Sequence, residues 1–501
     1  MTSSALPNEE IFGVTGALRS AAAQAARRGT LRRVVHGVYT RDLTTPLEIL
    51  VATRLHEVVA AIRPGALIAD RSARLGGRPT ADGLVFLVHP VTPDVKLPGG
   101  LTLRSRRGPG PVATDISLPH GLWMSSEART ALENLTRSRS RNGKSSRTLG
   151  RAEVEVWLDN YASRAGDEWI RRLREQAREI APRLGLEEEL ELLDGILGTL
   201  LGTRAANVVS PQLRSRARGE AYDSARAQTF DVLAGHLASS APPVPIPVPA
   251  APRTLVLPFV EAYFSNFIEG TEFAFQEASA IVYDGISPAN RPADAHDVRG
   301  TYAIVADEAE MRRTPASADD LVRLIEARHA VLLGGRPEKR PGEFKERGNQ
   351  AGAASFVEPR LVAGTLRQGF ERYARLDDPF ARATFMMFLI TEVHPFDDGN
   401  GRLARVMANA ELVSADLARI VIPTIYRNNY VMALKGLTIN ANARSFVATL
   451  RFAQRYTAQL DCSNIGAAQA VLNATGAFVD ATEADLTGRV LVLPSSLGQP
   501  E

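Results

Sequence analysis

A chain of 501 residues exceeds what one hydrophobic core ordinarily holds, so two to four domains are expected. Its 45% hydrophobic and 23% charged residues describe an ordinary globular composition. No apolar run reaches the roughly 18 residues of a membrane span, and the N-terminus lacks the basic-then-apolar order of a signal peptide. A lone Cys462 excludes an internal disulfide and any cysteine-based metal site, so a cytoplasmic location is expected; the net charge of +3 becomes informative only through its distribution.

From Gly16 to Arg28 the pattern is an alanine-rich helix. After Gly29 the run Leu31-Arg-Arg-Val-Val-His-Gly-Val-Tyr39 alternates as strand, turn and strand. Arg19, Arg27, Arg28, Arg32, Arg33 and Arg41 come with no acid among them before Asp42. A helix followed by a basic hairpin presents a groove-reading helix and a phosphate-touching wing to DNA, and a solvated basic face is the alternative. The segment resembles the N-terminal domain of AbiEi-type antitoxins, where an Arg-x-x-x-Gly-Val-Tyr string closes the wing; here it is Arg33-Val-Val-His-Gly-Val-Tyr39. Asp70-Arg-Ser-Ala-Arg-Leu-Gly76 and Met124 to Leu135 echo the family in the same order, so the likeness spans about residues 10–140. It implies a winged-helix DNA-binding region over 1–45, with Arg19, Arg27, Arg28, Arg32 and Arg33 as contacts, and an α/β continuation over 46–150.

Within that continuation, Leu84 to Val88 and Leu101 to Arg104 read as short strands. Residues 136–151 are basic, Ser-rich and nearly without apolar side chains. They predict a mobile loop, either solvated or touching nucleic acid. Residues 151–240 turn helical, with Trp157 and Trp169 as core positions, and form a connector. Pro242 to Pro249, with Pro252, favour an extended polyproline segment, so 241–253 is expected to be a semi-rigid linker separating two halves. The tail, 463–501, is alanine-rich and then short-stranded at Val490 to Leu493.

The densest chemistry lies at 392–405, Glu-Val-His-Pro-Phe-Asp-Asp-Gly-Asn-Gly-Arg-Leu-Ala-Arg, between the apolar run Ala383 to Ile390 and a helical pattern from Leu403 to Leu412. Gly399 and Gly401 let backbone N–H groups face a concavity at a helix N-terminus, where anions bind. Arg402 and Arg405 share a face of the following helix and can fork onto phosphate oxygens. Asp398 is a hard oxygen ligand suited to Mg²⁺, and His394 is a base of suitable ordinary pKa. Those residues give a base, a metal ligand and a phosphate cradle; a loop capping a core helix is the blander reading.

The string resembles the Fic-domain motif, His-Pro-Phe-x-Asp/Glu-Gly-Asn-Gly-Arg-x-x-Arg, with every defined position filled. The likeness covers about residues 255–460 and implies a mainly α fold: an all-helical Fic core over 254–462 with a small β-hairpin flap, after the α/β winged-helix-type region. It implies transfer of AMP from ATP to a Tyr, Ser or Thr hydroxyl of a target protein, itself among the candidates. His394 would be the base and Asp398 the Mg²⁺ ligand. Phe396, Gly399, Asn400, Gly401, Arg402 and Arg405 would form the nucleotide-binding set. In that set Phe396 packs in the core to fix the loop, Asn400 and the Gly399 to Gly401 N–H groups meet the α-phosphate, and the two arginines meet the β- and γ-phosphates.

Residues 261–270, Glu-Ala-Tyr-Phe-Ser-Asn-Phe-Ile-Glu-Gly, put Ser265 and Glu269 on one helix face before a Gly270 stop. They resemble the family's inhibitory helix, Ser/Thr-x-x-x-Glu-Gly/Asn, which implies that Glu269 pairs with Arg405 and blocks the γ-phosphate. By position, Gly342 to Pro359 resembles the flap that clamps the target segment by strand addition. Residues 422–434 resemble the border of the adenine pocket. A DNA-binding regulator with a sensory Fic half, and a Fic half that removes AMP, remain open as alternatives. Both halves have dimeric relatives, so a homodimer is also open, and none of the other seven histidines is expected to be catalytic.

Overall fold

The computed structural model describes residues 6–16, 18–141, 143–204, 206–241, 243–351 and 354–497. Asn142 of the basic loop, Pro242 of the Pro-rich run, Gly352 and Ala353 of the expected flap, and the last four residues of the tail lie outside the described residues. The chain divides into two compact units, Met1–Gly219 and Glu220–Glu501.

The first unit opens with β1 (Ile11–Gly13), α1 (Leu18–Arg27), β2 (Arg32–Val35) and β3 (Val38–Thr40), the strands ordered β1-β3-β2 and antiparallel. Gly37 makes the tight β2–β3 turn at φ +77, a conformation that favours glycine. Ala22 and Ala25 of α1 are buried with Phe12, Leu31 and Tyr39; β1 adds a third strand to the expected hairpin. After α2 (Leu47–Thr53) and α3 (Leu55–Ile62), a second sheet forms from β4 (Leu67–Ile68), β5 (Leu84–Val88), β6 (Val95–Lys96), β7 (Thr102–Arg106), β8 (Ile116–Ser117) and β9 (Trp123–Met124). A short helix α4 (Asp70–Arg74) follows β4. Its order is β6-β7-β5-β4-β9-β8, with β5–β7 and β4–β9 parallel. All five residues of β5 are buried, which explains why it reads as a continuous apolar run rather than an alternation.

α5 (Glu127–Leu135) is buried from Ala128 onward and carries Arg129 and Glu133 into the interior. Burying such charges is tolerable only when they are paired: Arg129 meets Asp115 at 2.7 Å and Glu133 at 2.9 Å, and Arg106 meets Glu133 at 2.8 Å and Asp70 at 2.9 Å. α6 (Arg151–Leu184) breaks at Gly166 (φ +77) and packs with α7 (Glu187–Leu200) and α8 (Pro211–Ala217) around a core that includes Trp157 and Trp169. In the loop 136–150, whose composition predicts a mobile segment, the return side is tied to the rest of the unit. Arg147 binds Asp70, the Ser145 hydroxyl donates to Asp82, and Thr148 bonds Ser138 and Thr136.

In the second unit α9 (Ser224–Ser239) is followed by α10 (Leu257–Phe267), α11 (Phe275–Tyr283), α12 (Pro292–Ala306), α13 (Glu308–Met311) and α14 (Ala318–Leu332). The hairpin β10 (Gln350–Ala351) and β11 (Ala354–Ser355) comes next, then α15 (Val362–Tyr373), α16 (Pro379–Val393), α17 (Asn400–Ser414), α18 (Arg427–Asn440), α19 (Ala443–Gln459), α20 (Ile465–Ala474) and α21 (Ala481–Thr487). α16 is buried on nearly every face, the mark of a central helix, and packs against α17, α15 and α9. Two sequence expectations shift here. α9, grouped with the connector, belongs to this unit because Phe230 and Leu233 sit in its core. The Pro-rich run lies along this unit: Val248 N–H donates to Asp416 O and Ala418 N–H to Ile246 O, so the division falls ahead of it. Val490 to Leu493 form no strand; the chain passes to a 3₁₀ turn at Pro494–Ser496.

Candidate active site

The loop between α16 and α17 carries the site. His394 caps α16 in a left-handed conformation (φ +52), its N–H closing the last turn onto Ile390 O. Nδ1 lies 3.2 Å from Thr391 O, which fixes the proton on Nδ1 and leaves Nε2 with its lone pair available. Phe356, just beyond β11, stacks on the imidazole at 3.8 Å between centroids and 9° between planes. Burial pushes the imidazole down to about 4, with Lys345 adding to that and Glu269 and Asp398 opposing it, so at neutral pH His394 is an uncharged base.

Beyond His394 the loop is held from inside. Asn400 accepts from Phe396 N–H and donates to Phe396 O, both at 2.9 Å, and is 1% exposed. Its amide therefore closes the loop and is spent on backbone rather than facing a phosphate, unlike the role the resemblance implies. Phe396 is fully buried and stacks on His329 at 3.8 Å, consistent with the expected packing role. His329 Nδ1 accepts from Gly342 N–H at 2.9 Å, so Nε2–H donates to Asp398 O at 3.0 Å. Burial lowers this imidazole to about 4, and it stays neutral as that tautomer requires. His329→Leu keeps the bulk but strands both backbone groups; a loss of about 2–5 kcal/mol is expected, read as a lower urea midpoint.

Gly399 (φ +72) admits no side chain: a Cβ would stand 2.4 Å from Leu333 Cδ2. It turns the chain into α17, whose first-turn N–H groups have no partner within the helix. The Asp398 side chain is 43% exposed and accepts from Gly399 N–H through Oδ1 at 2.7 Å. Among the described residues no cluster of three metal-ligating side chains exists. A single open carboxylate suits a magnesium ion that keeps water and takes phosphate oxygens as its remaining ligands, so Asp398 fits that metal and not one needing an all-protein cage.

The seat above that helix N-terminus is taken by Glu269. A Cβ on Gly401 would meet Glu269 Oε1 at 2.0 Å, and Oε1 pairs with Arg405 at 2.8 Å. Arg405 also donates from Nε to Ser265 Oγ (3.0 Å) and, from the same Nη2 that pairs with Glu269, to Ser265 O (2.8 Å). Sequence-distant α10 and α17 thus bring Ser265, Glu269 and Arg405 together, with Gly270 (φ +93) just past the end of α10. Burial alone would raise the Glu269 carboxyl; Arg405, Arg402 and His394 outweigh it and hold it below the usual glutamate range. The side chain keeps 37% of its surface open while its carboxylate faces the Arg405 guanidinium. The open area is the mouth of the cleft and moderates the strength of the pair.

Arg402 is also engaged. It binds Asp297 at 2.7 Å and Asn266 Oδ1 at 3.2 Å, is 4% exposed, and keeps a buried Nε without a hydrogen-bond partner in the protein. Sequence reasoning missed Asp297 on α12, His329 on α14, and Lys345, which donates to Asn349 while Asn349 donates to Phe396 O. It also missed Arg226 on α9, which binds Glu392 and the Ser355 carbonyl beside Phe356. Only Asn266, inside the Ser265–Glu269 string, carried a local signal. In the first unit Arg19, Arg27, Arg28 and Arg33 are exposed, and Arg32 is half-buried, donating to Thr45 O at 2.7 Å.

Residues 320–412 match the family model described as the Fic/DOC family. The chain is similar to "Protein adenylyltransferase Fic" of Drosophila yakuba, 28% identical over 202 residues, covering 37% of this chain and 39% of that protein. It is also similar to "Protein adenylyltransferase fic-1" of Caenorhabditis elegans, 24% identical over 185 residues, covering 35% and 36%. The chain thus spans less than two-fifths of the length of the curated relatives it matches. Among solved structures, a fragment of Fic-1 from C. elegans aligns at TM-score 0.35 and 17% identity, covering 64% of this chain and 98% of that one. A Fic-domain signalling protein from Bacteroides thetaiotaomicron aligns at TM-score 0.36 and 18% identity, covering 49% and 97%. Ser265 and Glu269 lie upstream of the matched residues, while the loop from His394 to Arg405 lies within them, so the part of the chain that matches the Fic/DOC family is the part that holds this loop.

Proposed function

We propose that the second unit transfers AMP from ATP to a protein hydroxyl and that Glu269 holds it idle. The observation that carries this reading is a neutral imidazole with a free Nε2 beside a helix N-terminus bearing two arginines. In the reaction the hydroxyl oxygen of a Tyr, Ser or Thr attacks the α-phosphorus and its proton passes to His394 Nε2. The bond from the α-phosphorus to the bridging oxygen breaks, and pyrophosphate leaves. The first-turn N–H groups of α17 meet charge growing on the α-phosphate, and Arg405 meets the γ-phosphate once Glu269 has left. Asp398 would hold a magnesium ion, which when bound neutralises phosphate charge.

Incubation with ATP labelled at the α-phosphate is expected to label protein, whereas ATP labelled at the γ-phosphate is not. Labelling from the γ-position alone would replace this reading with phosphoryl transfer.

A second activity is supported by the exposed Arg19, Arg27, Arg28 and Arg33 around α1 and β2, for which we propose contact with DNA phosphates. Arg27→Ala with Arg33→Ala is expected to weaken duplex binding by the full chain and to flatten the slope of log K against log salt by about 1.8. An unchanged slope would remove these residues from DNA binding.

A further inference from the structure

The first unit contains a cavity of about 500 Å³ that neither reading uses, lined by Phe86, Ser105 and six arginines: Arg104, Arg106, Arg137, Arg139, Arg141 and Arg147. Among the described residues no acidic side chain lines it. Behind the wall, Arg106 and Arg147 are held by the fully buried Asp70, and Arg104 by Asp94 at 3.1 Å. Arg137, Arg139 and Arg141 are exposed and have no carboxylate partner among the described residues. Arginines converging on one concavity repel each other unless an anion lies among them, and three of these six lack that compensation.

Two further features argue for a built site. The segment presenting Arg137, Arg139 and Arg141 is tied down on its return side. There Arg147 binds Asp70, Ser145 binds Asp82, and Arg71 donates to the Ser146 and Thr148 carbonyls. Alternate residues of its Arg-Ser-Arg-Ser-Arg run thus contribute to one cavity. The hydroxyl of Ser105, a residue 9% exposed on the same wall, is buried with no hydrogen-bond partner in the protein. Guanidinium forks and a spare hydroxyl are phosphate chemistry, and the volume matches a ligand of nucleotide size.

We propose that this cavity binds closely spaced phosphates, carried either by a nucleic-acid strand or by a free polyphosphate. It is separate from the α1 arginines and from the His394 loop. The test compares the full chain with its Arg139→Ser, Arg141→Ser double variant. Both positions are exposed and unpaired, so the unfolding midpoint should not move. Two probes are used: a labelled single-stranded oligonucleotide read by anisotropy, and sodium tripolyphosphate read by calorimetry. If the source is a strand, the variant binds the oligonucleotide at least about tenfold more weakly, with a salt slope shallower by about 1.4. If the source is a free polyphosphate, oligonucleotide binding is unchanged and one tripolyphosphate site disappears. Equal binding of both probes by wild type and variant overturns the proposal.

Discussion

Replacing His394 is expected to lower label transfer from ATP by at least about a hundredfold, the range general-base catalysis supplies. Alanine at φ +52 carries a backbone cost that imidazole removal should not be charged with, so His394→Asn is the better variant; asparagine tolerates the left-handed cap. Both variants should keep the wild-type unfolding midpoint within about 1 kcal/mol, since the ring makes one hydrogen bond and one stacking contact. The pH profile separates this role from a structural one. Burial holds the folded imidazole near 4 rather than 6.5. Transfer should therefore stay level from about pH 8 down to about pH 5, and fall only as Nε2 takes a proton through about pH 4. An ordinary exposed histidine would already lose activity through 6.5. The linked stability runs in the same direction: the unfolded chain binds a proton at His394 first, so acid below 6.5 destabilises the fold through this residue. Transfer that survives in His394→Asn would remove the imidazole from the chemistry.

The parts of this site that were legible in the sequence are those whose geometry is local. The glycine turn at Gly399 and the helical turn that follows it are specified within a few residues, and the structure forms both, whereas the left-handed cap at His394 was not read from the sequence. The Ser265–Glu269 string was legible as a helix with a glycine stop, but α10 ends at Phe267 and Glu269 follows in the turn before Gly270, so a shared helix face does not fix its approach to Arg405. What could not be read is where polar side chains go once distant elements converge. Asn400 has the chemistry to meet a phosphate, yet Phe396 backbone groups take both ends of its amide. Arg402 is directed by Asp297 and Asn266, neither near it in sequence, and His329 is one of seven histidines with no local pattern around it. The basic loop shows the same limit in the fold. Its composition is that of a free segment, but Asp70 of α4 and Asp82 in the turn before β5 hold its return side at Arg147 and Ser145.

Glu269→Gly is expected to raise transfer by at least about tenfold. The carboxylate occupies the position over Gly401 where an anionic substrate group would meet the helix N-terminus, and it ties up Arg405 at 2.8 Å. A nucleotide must displace it, and each 1.4 kcal/mol of that competition is about tenfold in occupancy of the productive state. The pair is open to solvent on the glutamate side, which keeps its worth moderate. Loss of Glu269 should not loosen Arg405 itself, because Ser265 still accepts from it through both Oγ and the backbone carbonyl. Nη2 then loses one of its two acceptors while both Ser265 contacts keep the guanidinium aimed. Glu269→Gln tests charge against bulk. If displacement of a charged competitor limits turnover, the amide should release most of the activity, and if steric filling of the seat limits it, only glycine should. Arg405→Ala also breaks the pair, yet it should leave the protein slow, because the proposed reaction uses the same guanidinium for the γ-phosphate. Equal turnover of wild type and Glu269→Gly, at ATP concentrations below and above KM, would show that the contact seen here does not restrain the enzyme.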